Sequence, residues 1–171
     1  MIEAEFEVLY FLQSLHTPWL DVVMKNITHL GDSGIFWIFT GLVLFCFKKT
    51  RKMGFCVLFS LAGGLLIGNI LLKNLVARDR PCWIDPTVQL LTANPGDYSF
   101  PSGHTMASFE AAVSIFLYDR RWGAAAFVLA ALIAFSRLYL FVHFPSDVLT
   151  GLVLGVAIAL VVHKGVEWMA R

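Results

Sequence analysis

The sequence predicts an all-α protein, a polytopic membrane bundle of about five transmembrane helices that follows an N-terminal interfacial helix. Three observations support this fold class. Hydrophobic residues make up 58% of the 171 residues, above the roughly 45–50% found in soluble domains. The mean hydropathy is +0.72. Between residues 35 and 162, five apolar runs follow one another, separated by polar or basic segments.

The start of the chain is predicted to lie at the membrane surface rather than to cross the bilayer. Residues 1–16 place three glutamates among apolar side chains, which is too polar for a span and typical of an amphipathic interfacial helix. A second short helix is expected from Pro18, because proline suits a first helical turn. We therefore expect one domain over residues 1–171, with interfacial helices at 1–30 and the transmembrane bundle at 31–171.

The five apolar runs are predicted to be the transmembrane helices. A helix needs about 20 residues to cross a bilayer, and the first and third runs reach that length only with their flanking residues. Glycine and alanine recur within the runs, and such small residues let helices pack closely in a membrane. The runs cover residues 35–47, 53–72, 105–118, 122–142 and 148–162.

Lysine and arginine predict the side of the membrane on which each connection lies. Most of them crowd two connections and the end of the chain: Lys48, Lys49, Arg51, Lys52, Arg120, Arg121, Lys164 and Arg171. With five spans these residues share one side, which the positive-inside rule makes cytoplasmic. Segments 73–104 and 136–147 then lie on the outer side. Four of the five remaining basic residues belong to these two segments, so we expect an anionic ligand there.

The first outer cluster contains Lys73, Arg80 and Pro81. The two cations are seven positions apart, which is about two helical turns, so both lie on one face if the preceding helix continues. Pro81 would end that helix. The alternative is a basic cap whose side chains snorkel to the membrane surface.

The second outer cluster is Pro101, Ser102, Gly103 and His104, at the start of an apolar helix. Free N–H groups at a helix start form an anion site. Ser102 adds a hydroxyl, Gly103 lets a ligand approach the backbone, and His104 adds a group that titrates near neutral pH. The alternative is an ordinary helix cap with an unrelated histidine.

The third outer cluster brings Arg137, His143 and Asp147 into one of the most apolar regions of the chain. Ionisable groups beside hydrocarbon are costly and indicate a functional site. Pro145 suits the first turn of a new helix, which puts Asp147 in that turn and His143 just before it. An aspartate in this place can accept a proton from one imidazole nitrogen and leave the other free to react. The alternative is a structural histidine with a capping aspartate.

One carboxylate is expected within the membrane. Glu110 follows His104 by six residues in an apolar run. An intramembrane carboxylate suggests a function, but it could also serve only to pair with Asn69 or a hydroxyl.

Together, the three clusters resemble the signature of the type 2 phosphatidic acid phosphatase (PAP2) superfamily. The matching patterns are Lys-x6-Arg-Pro, Pro-Ser-Gly-His and Ser-Arg-x5-His-x3-Asp, and every signature position is present between residues 73 and 147. Membrane members of this family often have six spans, whereas the pattern here predicts five and a surface helix.

The resemblance implies phosphoryl transfer without a metal or other cofactor. His143 would attack phosphorus and become a phosphohistidine, while Asp147 holds its tautomer. His104 would protonate the departing oxygen and then activate water. The groups that would hold the phosphate oxygens are Lys73, Arg80, Arg137, Ser102 and the Gly103 N–H.

The implied substrate is a lipid phosphate or diphosphate, with undecaprenyl diphosphate favoured over phosphatidylglycerophosphate and phosphatidic acid. Two other enzymatic alternatives are a lipid phosphotransferase and a vanadate-dependent haloperoxidase, although the latter relatives are soluble. A non-catalytic lipid-binding or transport protein is the alternative from another class. The expected location is a bacterial plasma membrane, with the site on the extracytoplasmic side. No basic patch with interleaved aromatic residues predicts a nucleic-acid partner, and the pattern does not indicate an oligomeric state.

Overall fold

The computed structural model of the protein describes residues 2–169, and all regular structure in this part of the chain is helical. The predicted all-α class is therefore confirmed. The helices are α1 (Ile2–Ser14), α2 (Pro18–His29), α3 (Ile35–Cys46), α4 (Arg51–Gly64), α5 (Lys73–Val76), α6 (Pro81–Ile84), α7 (Gly103–Phe116), α8 (Arg120–Tyr139) and α9 (Pro145–Met169). A short 3-10 turn precedes α3, and a π-helical stretch, Leu65–Leu72, joins α4 to α5.

Three stretches of the described chain are long and apolar enough to cross a membrane: Arg51–Ile84, Arg120–Tyr139 and Pro145–Met169. A fourth is present if α2 and the helix after it count as one broken span with a bend of 42°. The expected number of about five is thus higher than the three or four that helix length supports. The sequence interpretation assigned α2 to the membrane surface, and α2 is half of a span only if the bent pair is counted as one.

The difference in span count arises largely at α7, which forms where the third apolar run was predicted. It has 14 residues, short of the roughly 20 that cross a bilayer. Ten of these residues are buried, because α4, α8 and α9 pack around the helix. A helix enclosed by other helices does not have to match the thickness of the hydrocarbon layer.

Small residues allow the neighbouring helices to approach α7 closely, as the sequence predicted. A side chain added at Gly155 in α9 would meet the Met106 backbone oxygen at 2.6 Å. One added at Gly151 would meet the Ser102 backbone oxygen at 2.7 Å. These distances are too short for a carbon atom, so glycine permits the contact between α9 and α7.

The outer faces of the bundle are apolar. Large hydrophobic side chains are exposed on α3, on the π-helical stretch and on α9, including Phe39, Leu66 and Val161. Soluble monomers rarely expose contiguous apolar surfaces of this extent. The exposed side chains are therefore suited to contact with lipid, as expected of an integral membrane protein.

Two contacts identify one end of the bundle. The Lys52 Nζ lies 3.6 Å from Glu167 Oε1, and the Tyr118 hydroxyl donates a hydrogen bond to the same oxygen at 2.9 Å. The start of α4, the end of α7 and the end of α9 therefore lie together. This end also carries the basic connections that the charge pattern grouped on one side. Arg171, which was part of that pattern, lies outside the described residues.

Candidate active site

A cavity of about 810 Å³ brings together most of the predicted site residues. It lies toward the opposite end of the bundle, where α7 begins. Its walls include residues from all three sequence clusters: Lys73, Arg80, Gly103, His104, Arg137 and His143. Ser102 and Asp147 are fully buried and are not among the described residues that line the cavity.

His143 lies in the connection between α8 and α9 and is 1% exposed. Its Nε2 is 3.2 Å from Arg80 Nη1. Burial, together with the positive charges of Arg80 and Arg137, lowers the pKa of His143 well below its usual range. The imidazole is therefore neutral at physiological pH. Because a guanidinium can only donate, the lone pair of Nε2 is directed toward Arg80, which is part of the cavity wall.

The other ring nitrogen of His143 faces Asp147 and Ser99. Asp147 Oδ2 is 3.7 Å from His143 Nδ1, longer than a hydrogen bond. The Ser99 hydroxyl donates to that carboxylate oxygen at 2.5 Å and lies 3.4 Å from Nδ1. The expected direct hydrogen bond between Asp147 and His143 is thus replaced by an arrangement in which a serine stands beside both. Sequence reasoning missed Ser99, and its only signal was a hydroxyl two residues before Pro101.

Arg78 holds the second oxygen of Asp147. Its Nη1 donates to Asp147 Oδ1 and to Ser146 Oγ, both at 2.7 Å. Its Nη2 donates to Glu5 Oε2 at 2.6 Å, and the guanidinium lies 4.0 Å from the centre of the Phe144 ring. Arg78 was not among the predicted site residues, although it lies in the first basic cluster. Through it, α1 is tied to the start of α9.

Lys73 and Arg80 form the cationic wall of the cavity, and both contact Asp97. The Lys73 Nζ donates to Asp97 Oδ2 at 2.5 Å, and Arg80 Nη2 donates to Oδ1 at 2.7 Å. The Arg80 Nε also donates to the Asp97 backbone oxygen at 2.7 Å. Burial raises the pKa of Asp97, but contacts with the two cations outweigh it and bring the pKa to about 2. Sequence reasoning missed Asp97, which follows Gly96 in an irregular segment.

Arg137 and His104 complete the cavity on the side of α2. Arg137 Nη1 donates to the Thr28 hydroxyl at 2.5 Å, and its Nε has no partner among the described residues. His104 Nε2 lies 2.9 Å from Asp32 Oδ1. Asp32 was not among the predicted site residues. The junction of α2 and α3 thus contributes to the site.

The deeper part of the cavity combines an apolar wall with two unpartnered polar groups. Glu110 and Asn69 both line it, and Glu110 Oε1 and Asn69 Oδ1 have no hydrogen-bond partner within residues 2–169. The pairing between them that the sequence left open is therefore not made. The apolar wall comes from α3, α4 and the π-helical stretch and includes Ile38, Leu58, Leu61 and Leu65.

The arrangement has the components of phosphoryl transfer. A neutral imidazole nitrogen faces three cations, and these can offset the charge of a phosphoryl group as it is attacked. A second histidine in the same cavity can donate or accept a proton. The apolar wall can take the hydrocarbon part of a lipid. In the described part of the chain, no group of three or more His, Cys, Asp or Glu side chains is arranged to hold a metal ion.

Comparisons with known proteins agree with this chemistry. The family model described as the PAP2 superfamily matches residues 53–171. An undecaprenyl-diphosphatase from Sulfolobus acidocaldarius is 36% identical over 121 residues, which is 70% of this chain and 58% of that protein. The match thus spans less than two thirds of that relative. Phosphatidylglycerophosphatase B from Bacillus subtilis is 33% identical over 167 residues, covering 90% of this chain and 78% of the relative.

A solved structure resembles the whole bundle. The transmembrane PAP2-type phosphatidylglycerolphosphate phosphatase from Bacillus subtilis superposes with a TM-score of 0.80 at 30% sequence identity. The similarity covers 99% of this chain and 87% of that structure. The likeness therefore includes the N-terminal helices, which the family match does not reach.

Proposed function

The chain belongs to the PAP2 superfamily and is a membrane phosphatase, and we propose that it hydrolyses a lipid phosphate or diphosphate through a phosphohistidine on His143. The observation that carries this proposal is the contact of 3.2 Å between His143 Nε2 and Arg80 Nη1, inside a cavity that also contains Lys73 and Arg137. A neutral nucleophile beside three cations suits attack on an anionic phosphoryl group.

In the first step, the lone pair of His143 Nε2 forms a bond to phosphorus, and the bond from phosphorus to the leaving oxygen breaks. His104 gives its proton to that oxygen. Lys73, Arg80 and Arg137 compensate the charge on the non-bridging oxygens, joined by the Gly103 N–H. The Ser102 hydroxyl, which the sequence also assigned to the phosphate, is buried away from the cavity wall and accepts a hydrogen bond from Thr105 instead.

The proton on His143 Nδ1 faces the Ser99 hydroxyl, which donates to the buried Asp147 carboxylate. Arg78 holds the other oxygen of Asp147. The negative charge of Asp147 thus stabilises the imidazolium across the serine rather than through a direct hydrogen bond.

In the second step, His104 takes a proton from water, and the water oxygen forms a bond to phosphorus. The bond from phosphorus to His143 Nε2 breaks and releases inorganic phosphate. Both residues are then returned to their starting protonation states. Three cations supply the positive charge, so no metal ion is required for the reaction.

The favoured substrate is undecaprenyl diphosphate. Its long hydrocarbon chain suits the apolar wall of the cavity, and a relative that is 36% identical is an undecaprenyl-diphosphatase. Phosphatidylglycerophosphate is the second candidate, because a solved structure with a TM-score of 0.80 is a phosphatase of that lipid.

We further propose that the protein lies in a bacterial plasma membrane with its cavity on the extracytoplasmic side. The basis is the concentration of lysine and arginine at the other end of the bundle, which the positive-inside rule makes cytoplasmic.

A phosphate-release assay in detergent with EDTA tests the proposal. Wild-type protein, His143→Ala and His163→Ala are given undecaprenyl diphosphate, phosphatidylglycerophosphate or phosphatidic acid. His163 packs against Tyr118 at the far end of the bundle and is the matched control. We expect release by the wild type and the control, and none by His143→Ala. Turnover by His143→Ala would reject the nucleophile assignment.

The same assay separates the alternatives. Wild-type protein that releases phosphate from none of the lipids would support a non-catalytic binding or transport protein. If phosphate release falls when an acceptor lipid is added and that lipid becomes phosphorylated, the protein is a phosphotransferase. Labelled phosphate that stays on the wild type, but not on His143→Ala, would identify the covalent intermediate.

A further inference from the structure

We propose that Asp97 is an internal anion that competes with phosphate for Lys73 and Arg80 and so promotes release of the inorganic phosphate product. This inference rests on the proposed function, because it takes these two cations as the phosphate-binding groups. It assigns a role to a residue that none of the sequence motifs includes.

The contacts of Asp97 are those that a phosphoryl group would make. One carboxylate oxygen accepts from Lys73 Nζ at 2.5 Å, and the other accepts from Arg80 Nη2 at 2.7 Å. Two oxygens of a phosphate can engage an ammonium and a guanidinium in the same way. The carboxylate and the phosphate therefore cannot both hold these donors fully.

The burial of the three side chains indicates which of them moves. The side chains of Lys73 and Arg80 are 9% and 3% exposed, whereas that of Asp97 is 56% exposed. Buried cations need a compensating anion, because an unpaired buried charge is strongly destabilising. When phosphate supplies that compensation, Asp97 can rotate into water at low cost. When phosphate leaves, Asp97 can return to the cations.

The charge of the competing Asp97 carboxylate does not change with pH near neutrality. Lys73, Arg80 and Arg137 all face the cavity that Asp97 borders, and His143 is the neutral group beside them. The low pKa of Asp97 keeps its carboxylate ionised. The internal anion is therefore always available to replace a departing phosphate.

This competition weakens the binding of substrate phosphate and of product phosphate alike. Such a uniform change in binding affects KM more than the chemical step. For the product it is an advantage, because inorganic phosphate would otherwise remain between three cations. The same competition also weakens the initial binding of the lipid substrate.

The test measures inorganic phosphate binding by calorimetry in detergent, with wild-type protein, Asp97→Asn, Asp97→Ser and Asp85→Asn. Asp85 is the matched control, since it lies in the same connection but contacts Tyr10 and Thr87. We expect both Asp97 variants to bind phosphate about tenfold more tightly, because the carboxylate that competes for Lys73 and Arg80 is lost. We expect Asp85→Asn to bind like the wild type.

Steady-state kinetics give a second readout. With the same lipid, both Asp97 variants should show a lower KM and stronger inhibition by added phosphate, and kcat should fall where phosphate release limits turnover. Unchanged or weaker phosphate binding in a folded Asp97 variant would overturn the inference and leave Asp97 with a purely positioning role. Because Asp97→Asn and Asp97→Ser are both measured, the test still holds if one of the two variants does not fold. Failure of the proposed function is a different result, in which the wild type itself releases no phosphate from any lipid.

Discussion

Asp32 and His104 are joined by a contact of 2.9 Å between Asp32 Oδ1 and His104 Nε2, although 72 positions separate them in the sequence. The second oxygen of Asp32 lies 2.8 Å from His29 Nδ1. The carboxylate is therefore held between two imidazoles at the junction of α2 and α3. It orients the His104 ring. Burial and the charge of Arg137 lower the pKa of His104 to about 4, and Asp32 offsets part of this shift. Asp32 therefore raises the share of the protonated form, which is the form that donates a proton to a leaving oxygen.

We expect Asp32→Asn to lower kcat about tenfold for a lipid phosphate with an alkyl leaving group, as part of the 10²–10⁴-fold that general acid catalysis contributes. With p-nitrophenyl phosphate the loss should be much smaller, because that leaving group departs without a proton. The measurement is kcat for both substrates, with Asp85→Asn as a control. An equal loss on the two substrates would show that Asp32 acts by folding alone.

Loss of Arg78 should destabilise the protein. Asp147 is fully buried, and Arg78 Nη1 donates to it at 2.7 Å. Removal of one partner of a buried ion pair leaves an uncompensated charge, which costs about 3–5 kcal/mol. Arg78→Ala is expected to lower the apparent melting temperature in detergent far more than Arg121→Ala, whose side chain is exposed. Similar melting temperatures for these two variants would contradict this account.

Glu110 is expected to be dispensable for chemistry. Its Oε1 has no partner, and a buried polar atom without a hydrogen bond costs about 1–3 kcal/mol. Glu110→Met keeps a chain of similar length without the carboxyl group. It should retain turnover and raise the apparent melting temperature by a few degrees, about 2–4 °C per kcal/mol. A loss of turnover at unchanged stability would instead assign Glu110 a role in the reaction, and Glu110→Gln would then show whether an acceptor oxygen suffices.

The low pKa of His143 predicts how stability varies with pH. Above pH 6.5, the ordinary pKa of histidine, the side chain is neutral in the folded and unfolded states, and it contributes no pH dependence. Below that pH the unfolded chain binds a proton that the folded protein excludes. As the pH is lowered below 6.5, the free energy of unfolding therefore decreases by up to about 1.4 kcal/mol per pH unit, until the pKa of His143 in the folded protein is reached.

His143→Gln removes this contribution. Between pH 6.5 and pH 5.5, the apparent melting temperature of the wild type should fall more than that of His143→Gln. Parallel declines in the two proteins would mean that His143 is not held neutral by its surroundings.

Short sequence motifs predicted one part of the site and missed another. Lys73, Arg80, His104, Arg137 and His143 were predicted from three short motifs, and they line one cavity. They could be predicted because each motif lies at a helix end, and alternating spans bring those ends to one side of a membrane. The groups that surround them were missed, because their chemical partners are distant in sequence and lie in segments without periodicity.

The sequence by itself determined the helical class, the apolar runs, the small residues within them and the gathering of the reactive groups at one end of the bundle. Hydropathy and charge suffice for these features because a bilayer constrains a chain mainly through length and polarity. Only the tertiary structure decided that α7 is enclosed, that Ser99 and Arg78 hold Asp147, and that Asp32 and Asp97 enter the cavity. Those contacts depend on the path of connecting segments, and that path is set by packing between helices rather than by any repeat along the chain.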